Sequence, residues 1–265
     1  MKLVISIIIF LCVFLLYLHI KYHLTTSNSS QVYVFSGINK NKLEDVAYFK
    51  QPIQFDYNIN IEDTLILSEV NIIDTNKYEE IPLNSMAAEL LFKKPDYYTE
   101  YNKLGEGLIN KLSVHDTLFE PINSIMNEYD VIFGSDKVCT QLKHNLAYRH
   151  IICVHSGDPI TIKCLPPKYN ELLAGEYNYK RLNVSSKIDI WQDEHEDKTI
   201  TLELAKYEAI SIPYYWWYSI KLNANTKIYS FKYYTPMNLV SIAPILLTKY
   251  YQQYNSKNII KIKGI

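Results

Sequence analysis

Residues 209–219 read AISIPYYWWYS and form the most specific pattern in the chain. Their first part, Ala209 to Ile212, belongs to a series of short apolar runs that recur from Val131 onward. The other runs are Val131–Phe133, Ile151–Val154, Thr161–Leu165, Ile188–Ile190, Ile200–Leu204 and Ile228–Phe231. Turn residues such as Gly134-Ser135 and Pro166-Pro167 separate them. Short strands at regular spacing with turn signals between them predict a β-sandwich or barrel.

Residues upstream and downstream of this series predict further strands and flanking helices. Val32–Ser36 and Pro52–Tyr57 have the composition and alternation of strands. Leu83–Leu112 has helical periodicity, with one apolar cluster in 87–92 and another formed by Tyr97, Tyr98, Tyr101 and Leu104. The tail, Leu239–Tyr254, is again helical, with Ser241 as the predicted N-cap and Pro244 in the first turn. The expected fold class is therefore mainly β with flanking helices.

Composition excludes several classes of protein. The chain has 265 residues, of which 48% are hydrophobic and 21% charged, so it can bury a core and is not an extended disordered polymer. With 27 basic and 28 acidic residues, it has no electrostatic footprint for nucleic acid. The 7 glycines form no phosphate-binding motif, and the 4 cysteines form no CxxC pair, which argues against a zinc knuckle or a disulfide framework. Abundant Asn, Ile, Lys and Tyr fit an A/T-rich coding sequence, as in large DNA viruses or similarly biased genomes.

The N-terminal segment predicts a membrane anchor. Leu3–Ile20 contains no Asp, Glu, Lys or Arg, and as a helix it would be about 27 Å long, close to the thickness of a bilayer core. A cleaved signal peptide is the alternative, but the long apolar run without a small-x-small site favours a retained single-pass anchor. The flanking Lys2 and Lys21 do not determine its orientation. The sequons at Asn28 and Asn183 would be glycosylated only on a lumenal or extracellular domain.

Three motifs together resemble the JmjC and cupin-like oxygenases. They are Phe133-Gly134-Ser135 followed by residues 140–145 (TQLKHN), then Cys164-Leu165-Pro166-Pro167, then the Ile-Pro-Tyr-Tyr-Trp-Trp run of residues 212–217. Family members have T-P-L-H-x-D, L-F-P-P and I-P-x-x-W-W-H in the same order, and the likeness covers Val131–Tyr234. It implies a double-stranded β-helix, the cupin jelly roll, whose mouth in active members holds Fe(II) and 2-oxoglutarate. The metal ligands there are two histidines and one carboxylate.

This chain departs from the family at each ligand position. The first histidine falls on Lys143, the carboxylate on Asn145 and the second histidine on Tyr218. A protonated lysine has no lone pair, an amide oxygen is neutral, and a phenol is a poor substitute for imidazole. The cosubstrate lysine of the family falls near Ile160 or Asp158, which cannot pair with a carboxylate. The predicted pocket candidates are Thr140, Lys143, Asn145, Lys163, Trp216 and Tyr218.

Two further interpretations of these residues stay open. His144, His150, His155 and His195 could imitate a metal cluster, although isolated histidines on a β surface are usually structural. The resemblance favours core packing over ligand stacking for the aromatic run that begins at Tyr214. Lys143, in the vacated metal position, would need a carboxylate or an anionic ligand if buried, or would extend to the mouth of a filled pocket.

The predicted organisation has five parts: a transmembrane anchor (1–22), a polar linker (23–31), strands and helices flanking the barrel (32–130), a jelly-roll core (131–235) and a helical tail (236–265). The leading hypothesis is a membrane-anchored, catalytically inactive cupin-like protein with a binding or structural role and no cofactor. The alternatives are an Fe(II)- and 2-oxoglutarate-dependent hydroxylase with non-standard ligands, and an enzyme of unrelated mechanism, for which no nucleophile–base pair is recognisable. By position, the C-terminal helix resembles helices that mediate dimerisation in some family members. The sequence identifies no protein partner.

Overall fold

The computed structural model describes residues 2–24, 27–59, 61, 67–76, 78, 80–84, 93–192, 197–223 and 225–262. Its strands are β1 (Tyr33–Phe35), β2 (Ile53–Asp56), β3 (Leu67–Asp74), β4 (Glu80–Leu83), β5 (Tyr97–Thr99), β6 (Lys103–Leu104), β7 (Met126–Ile132), β8 (Lys143–Asn145), β9 (Arg149–Ser156), β10 (Ile160–Leu165), β11 (Glu176–Asn178), β12 (Asn183–Ser185), β13 (Ile200–Leu204), β14 (Glu208–Pro213), β15 (Trp217–Lys221) and β16 (Lys227–Tyr234). Its α-helices are α1 (Lys2–His19), α2 (Lys40–Ala47), α3 (Glu106–Ser113), α4 (Asp116–Phe119), α5 (Asn170–Leu173), α6 (Pro236–Ser241) and α7 (Ala243–Ile262). A π-helical turn, Ile20–Leu24, extends α1, and a 3₁₀ turn, Pro167–Tyr169, precedes α5. The described chain is thus mainly β, with helices on its flanks.

Two six-stranded sheets form the body of the molecule. The first has the order β1-β2-β14-β9-β16-β7, and the second has the order β11-β12-β8-β15-β10-β13. Apart from the parallel β1–β2 pair, neighbouring strands in both sheets are antiparallel. A smaller sheet consists of β4, β3 and β5, with β6 paired to β3. The expected mainly β class with flanking helices is confirmed.

Strand β9 shows how the two large sheets build the core. Ile152 and Val154 pack between the two sheets, in the same cluster as Ile162 and Ile220 of the second sheet. The alternate residues, Ile151 and Cys153, pack on the opposite face, in the cluster that contains side chains of α2 and α3. Side chains alternate across a strand, so a strand covered on both faces is apolar at consecutive positions. This explains the uninterrupted apolar run that the sequence shows in β9.

The small sheet is held close to the first sheet by Gly134. This residue pairs with Tyr98 in a β-bridge, and a Cβ at position 134 would lie 2.8 Å from the backbone oxygen of Tyr97. Any larger residue would push the strands apart. The close approach brings Glu100, directly after β5, to the space between the two large sheets.

Several sequence-based predictions of secondary structure are wrong. Tyr97–Thr99 and Lys103–Leu104 are strands rather than parts of a helix, because both pair with β3 and Tyr97, Tyr98 and Leu104 pack into the apolar clusters of the sheets. The apolar cluster in 87–92 lies outside the described residues. Ile188–Ile190 forms no strand, and Ser241 ends α6 instead of capping the tail helix. Thr235 is the N-cap of α6, where its hydroxyl accepts a hydrogen bond from the backbone N–H of Asn238.

The N-terminal helix is long and apolar enough to cross a membrane. Within the described chain, Lys2–Tyr22 is the one helix that meets this test of length and composition, which a signal sequence near an N-terminus also meets. Most of its side chains are exposed, as expected for a surface that faces lipid. Its end is an exception, because Leu18 and Tyr22 are buried against Tyr214.

Candidate functional site

The three predicted ligand positions come together between the two large sheets. Lys143 and Asn145 point to the same side of the short strand β8, and Tyr218 lies opposite Lys143 in the neighbouring strand β15. The amide Nδ2 of Asn145 donates a hydrogen bond of 2.9 Å to Tyr218 Oη. The ammonium of Lys143 lies 5.8 Å from the centroid of the Tyr218 ring. The three positions selected by the resemblance therefore share one buried location.

Lys143 forms a buried ion pair with Glu100. Its Nζ contacts Glu100 Oε2, and the two side chains are only 4% and 3% exposed. Burial lowers the pKa of Lys143 and the nearby carboxylate of Glu100 opposes that shift, so the lysine is held as part of a charged pair. The carboxylate thus supplies the partner that a buried lysine requires. Lys143 does not extend to the surface.

His150 joins the same location from the first sheet. Its Nδ1 accepts a hydrogen bond of 2.9 Å from Asn145 Nδ2, and its Nε2 lies 2.8 Å from the hydroxyl of Ser230. Burial, together with the positive charges of Lys232 and Lys143, lowers the pKa of His150 well below its usual value. A neutral imidazole with its proton on Nε2 satisfies both contacts. His150 therefore links the two sheets as a hydrogen-bonding group.

A second carboxylate, Asp130, lies in the same layer on β7. It accepts hydrogen bonds from the backbone N–H groups of Tyr101 at 2.5 Å and Asn102 at 3.0 Å. Burial, and then the charge of Glu100, raise the pKa of Asp130 to about 6. The bond from Tyr101 helps to hold that residue at a φ of +63°, a conformation that L-residues adopt at some cost.

Cations surround the ring of Tyr101. The ammonium groups of Lys143 and Lys232 lie 5.5 and 5.0 Å from its centroid, and the guanidinium carbon of Arg181 lies 4.4 Å from it. Such contacts are attractive because the face of an aromatic ring is electronegative. We call the buried polar side chains described above, together with Tyr101, the polar cluster. Its members are Glu100, Tyr101, Asp130, Lys143, Asn145, His150, Tyr218, Ser230 and Lys232.

The polar cluster does not suit a ferrous ion. Lys143 is engaged with Glu100, and the amide nitrogen of Asn145 bonds to Tyr218 and His150. The buried Oδ1 of Asn145 has no hydrogen-bond partner, yet one neutral amide oxygen beside an ammonium is a weak ligand for Fe(II). Across the described parts of the chain, no three His, Cys, Asp or Glu side chains form a group that could hold a metal.

The other pocket candidates lie elsewhere. Thr140 has a structural role, because its hydroxyl accepts a hydrogen bond from the backbone N–H of Ile220. Lys163 points away from Ile160 and donates to the carbonyl of Ile190, beside the Trp191 ring. Trp216 packs in the core between the large sheets, with its indole N–H bonded to the carbonyl of Lys50.

The three described histidines of the predicted set, His144, His150 and His155, do not form a cluster. His144 points to the opposite side of β8 from Lys143 and contacts the Trp217 ring, whereas His150 lies on β9 in the other large sheet. The two therefore share no strand face. His155 bonds to the backbone carbonyl of Ile59. His195 lies outside the described residues.

Burial limits which asparagine and cysteine side chains can be modified. Asn183 is 3% exposed and its amide donates to the hydroxyl of Tyr101, so this sequon is inaccessible in the folded chain, whereas Asn28 is exposed. Cys153 and Cys164 are buried as free thiols, where they pack as small apolar residues.

Sequence reasoning missed six members of the polar cluster: Glu100, Tyr101, Asp130, His150 in its bridging role, Ser230 and Lys232. A signal was present for two of them, because Asp130 directly precedes the apolar run Val131–Phe133 and Lys232 stands between Phe231 and Tyr233. Glu100 gave none, since its segment has the periodicity of a helix.

A cleft of about 350 Å³ adjoins the polar cluster. Tyr101, Asp130, Arg181 and Lys232 are among its lining residues. Leu104 and Ile109 also line the cleft, so the cluster approaches solvent on this side beside both polar and apolar side chains.

No protein-family model matches the chain, and no curated protein matches it significantly.

Proposed function

We propose that this chain is a membrane-anchored, non-catalytic relative of the JmjC and cupin-like oxygenases with a binding or structural role. The observation that carries the proposal is the Lys143–Glu100 ion pair, with Asn145 and Tyr218 beside it, at the positions where the family has its metal ligands. In this proposal, the buried ion pair occupies the location where active members of the family hold their metal.

The strand order supports the family assignment. From β7 to β10 the chain alternates between the two large sheets, and from β13 to β16 it alternates again. Strands that alternate in this way between two facing antiparallel sheets are typical of a jelly roll. The apolar helix α1 supports the membrane anchor.

The proposal predicts that the protein does not consume 2-oxoglutarate. The full chain, purified in detergent, is incubated with Fe(II), ascorbate and 2-oxoglutarate, and released succinate is measured beside an active oxygenase as positive control. We expect no succinate above the iron-free blank and no thermal shift with 2-oxoglutarate. Iron-dependent succinate release that EDTA abolishes would establish the hydroxylase alternative instead.

We further propose that the chain self-associates through α7. Exposed apolar and aromatic side chains on this helix support a contact between copies; they are Leu247, Tyr250, Tyr251 and Tyr254. Sedimentation equilibrium of the full chain in density-matched detergent is expected to show dimers that Leu247→Glu weakens. A monomer at all concentrations would refute this contact.

A further inference from the structure

A cavity of about 750 Å³ lies where the N-terminal helix meets the domain. Tyr17, Ile20 and Lys21 form one wall, and the end of α2 together with the following residues up to Gln51 forms another. Its volume lies within the range of sites that bind small molecules.

The helix is fixed to the domain beside this cavity. The Tyr22 ring packs 5.5 Å from that of Tyr214, whose hydroxyl donates a 3.0 Å hydrogen bond to the carbonyl of Lys21. The ammonium of Lys50 donates a 2.9 Å bond to the same carbonyl. A cation at this place complements the negative C-terminal end of α1. The cavity is therefore a built feature rather than a gap beside a loose linker.

The cavity opens at the depth of lipid headgroups if α1 crosses the membrane. Residues 17–22 then lie at the end of the span, where tyrosines commonly sit in the interface. Tyr48 and Phe49, at the rim, are 84% and 52% exposed. Large aromatic side chains exposed beside a membrane span suit contact with a lipid surface.

Positive charge is concentrated on the walls of the cavity. Lys21, Lys50 and Arg149 line it, and no Asp or Glu is among the described lining residues. Burial and the charge of Lys21 lower the pKa of Lys50 to about 8. An anion in the cavity would relieve this repulsion.

Arg149 provides independent evidence for an anionic ligand. It is 2% exposed, and its Nη1 donates to Glu44 at 3.0 Å and to the carbonyl of Phe119 at 2.9 Å. Its Nε and Nη2 are buried without a hydrogen-bond partner. Leaving buried donors of a charged group unsatisfied is costly. An anion in the cavity lined by Arg149 could accept hydrogen bonds from these donors.

We propose that this cavity binds the phosphate-containing headgroup of an anionic phospholipid, with its acyl chains lying along α1. This inference rests on the proposed membrane anchor. Free inorganic phosphate shares the charge but would not use the aromatic rim or the adjoining apolar helix.

Native mass spectrometry of the full chain in detergent tests the site. We expect one dioctanoyl phosphatidylglycerol per chain, bound at least tenfold more tightly than dioctanoyl phosphatidylcholine. Lys21→Gln with Lys50→Gln should weaken binding roughly twentyfold, since each lysine near an anionic surface contributes about fivefold. The matched control, Lys187→Gln with Lys206→Gln, removes the same charge from exposed sites and should change nothing. Lys50→Arg should retain binding, and thermal melting verifies that all variants are folded.

Two results would overturn the inference. Equal retention of the two lipids would show that the cavity does not select an anion. Displacement of phosphatidylglycerol by inorganic phosphate at similar concentration would show a free-phosphate site. The intact mass of the chain isolated from membranes separates this question from the anchor: loss of the N-terminal helix refutes the anchor, whereas an intact chain without lipid preference refutes only the cavity site.

Discussion

Lys143 and Glu100 form a buried ion pair, so both charges have lost their contact with water. An isolated ammonium between two apolar sheets would lose several kcal/mol of hydration free energy, so a lysine persists there only with a partner. Glu100 supplies that partner at the cost of its own hydration. Such a pair adds little net stability, but each member depends strongly on the other.

Removing one member should therefore destabilise the protein strongly. Lys143→Met leaves the Glu100 carboxylate buried and unpaired, and we expect a loss of about 3–5 kcal/mol in the free energy of unfolding, measured by urea denaturation in detergent. Adding Glu100→Gln should recover part of this loss.

The matched control is Lys187→Met, which breaks the exposed Lys187–Glu176 pair and should cost less than about 1 kcal/mol. A Lys143→Met variant as stable as the wild type would mean that the ion pair does not exist.

Asp130 should make stability depend on pH. Its pKa in the folded state is raised to about 6 from an ordinary value of 3.8, so the folded protein binds the proton more tightly than the unfolded chain. This contribution is fully present below pH 3.8 and is lost as the pH rises through about 6. We expect the free energy of unfolding of the wild type, relative to Asp130→Asn, to increase as the pH falls from 7 to 4.

Comparison with Asp130→Asn cancels the opposite effect of His150. The pKa of His150 is lowered in the folded state, so its contribution to stability is lost as the pH falls through about 6.5. A constant difference between wild type and Asp130→Asn from pH 4 to 7 would contradict the raised pKa.

The sequence was sufficient for three of the nine members of the polar cluster. Lys143, Asn145 and Tyr218 could be selected because the resemblance to the oxygenase motifs rests on spacing, which is a local property of the sequence. Glu100 could not be selected, because its position depends on β5 crossing Gly134, a contact between segments far apart in sequence. The sequence predicted that a buried Lys143 needs a carboxylate or an anionic ligand, but it did not predict that Glu100 provides the carboxylate.

At the scale of elements, strands covered on both faces were the easiest to predict. β9 and β14 have consecutive buried positions of mainly apolar residues, which a strand covered on both faces explains well. β5 was mistaken for part of a helix because its closely spaced tyrosines also fit a helical period, and packing between sheets decided its conformation. β8 has only three residues, too few for a pattern.

The junction of α1 with the domain should loosen when its central ring is removed. Tyr214→Ala deletes the contacts with Tyr22 and Tyr148 and the hydrogen bond to the Lys21 carbonyl. We expect proteinase K to cut within residues 27–31 several times faster than in the wild type. Tyr214→Phe, which keeps the ring and loses a bond of about 1 kcal/mol, should have an intermediate effect.

Tyr207→Ala is the control, because Tyr207 is 44% exposed and lies away from α1. Equal cleavage rates for Tyr214→Ala and Tyr207→Ala would mean that the helix is not held by this contact.

At the scale of the whole molecule, a buried layer of charge lies between two sheets that are otherwise apolar at their interface. Under the proposed function, this ion pair takes the place of a metal site, since both would occupy the same space and both bring charge into it.

The metal content of the full chain tests this account most directly. The protein is expressed with its N-terminal helix in iron-supplemented cells, purified anaerobically without chelator, and analysed by mass spectrometry for iron, manganese and zinc per chain. We predict far less than one metal ion per chain, with the same value for wild type and Lys143→Met. One tightly held ferrous ion per wild-type chain would contradict the account.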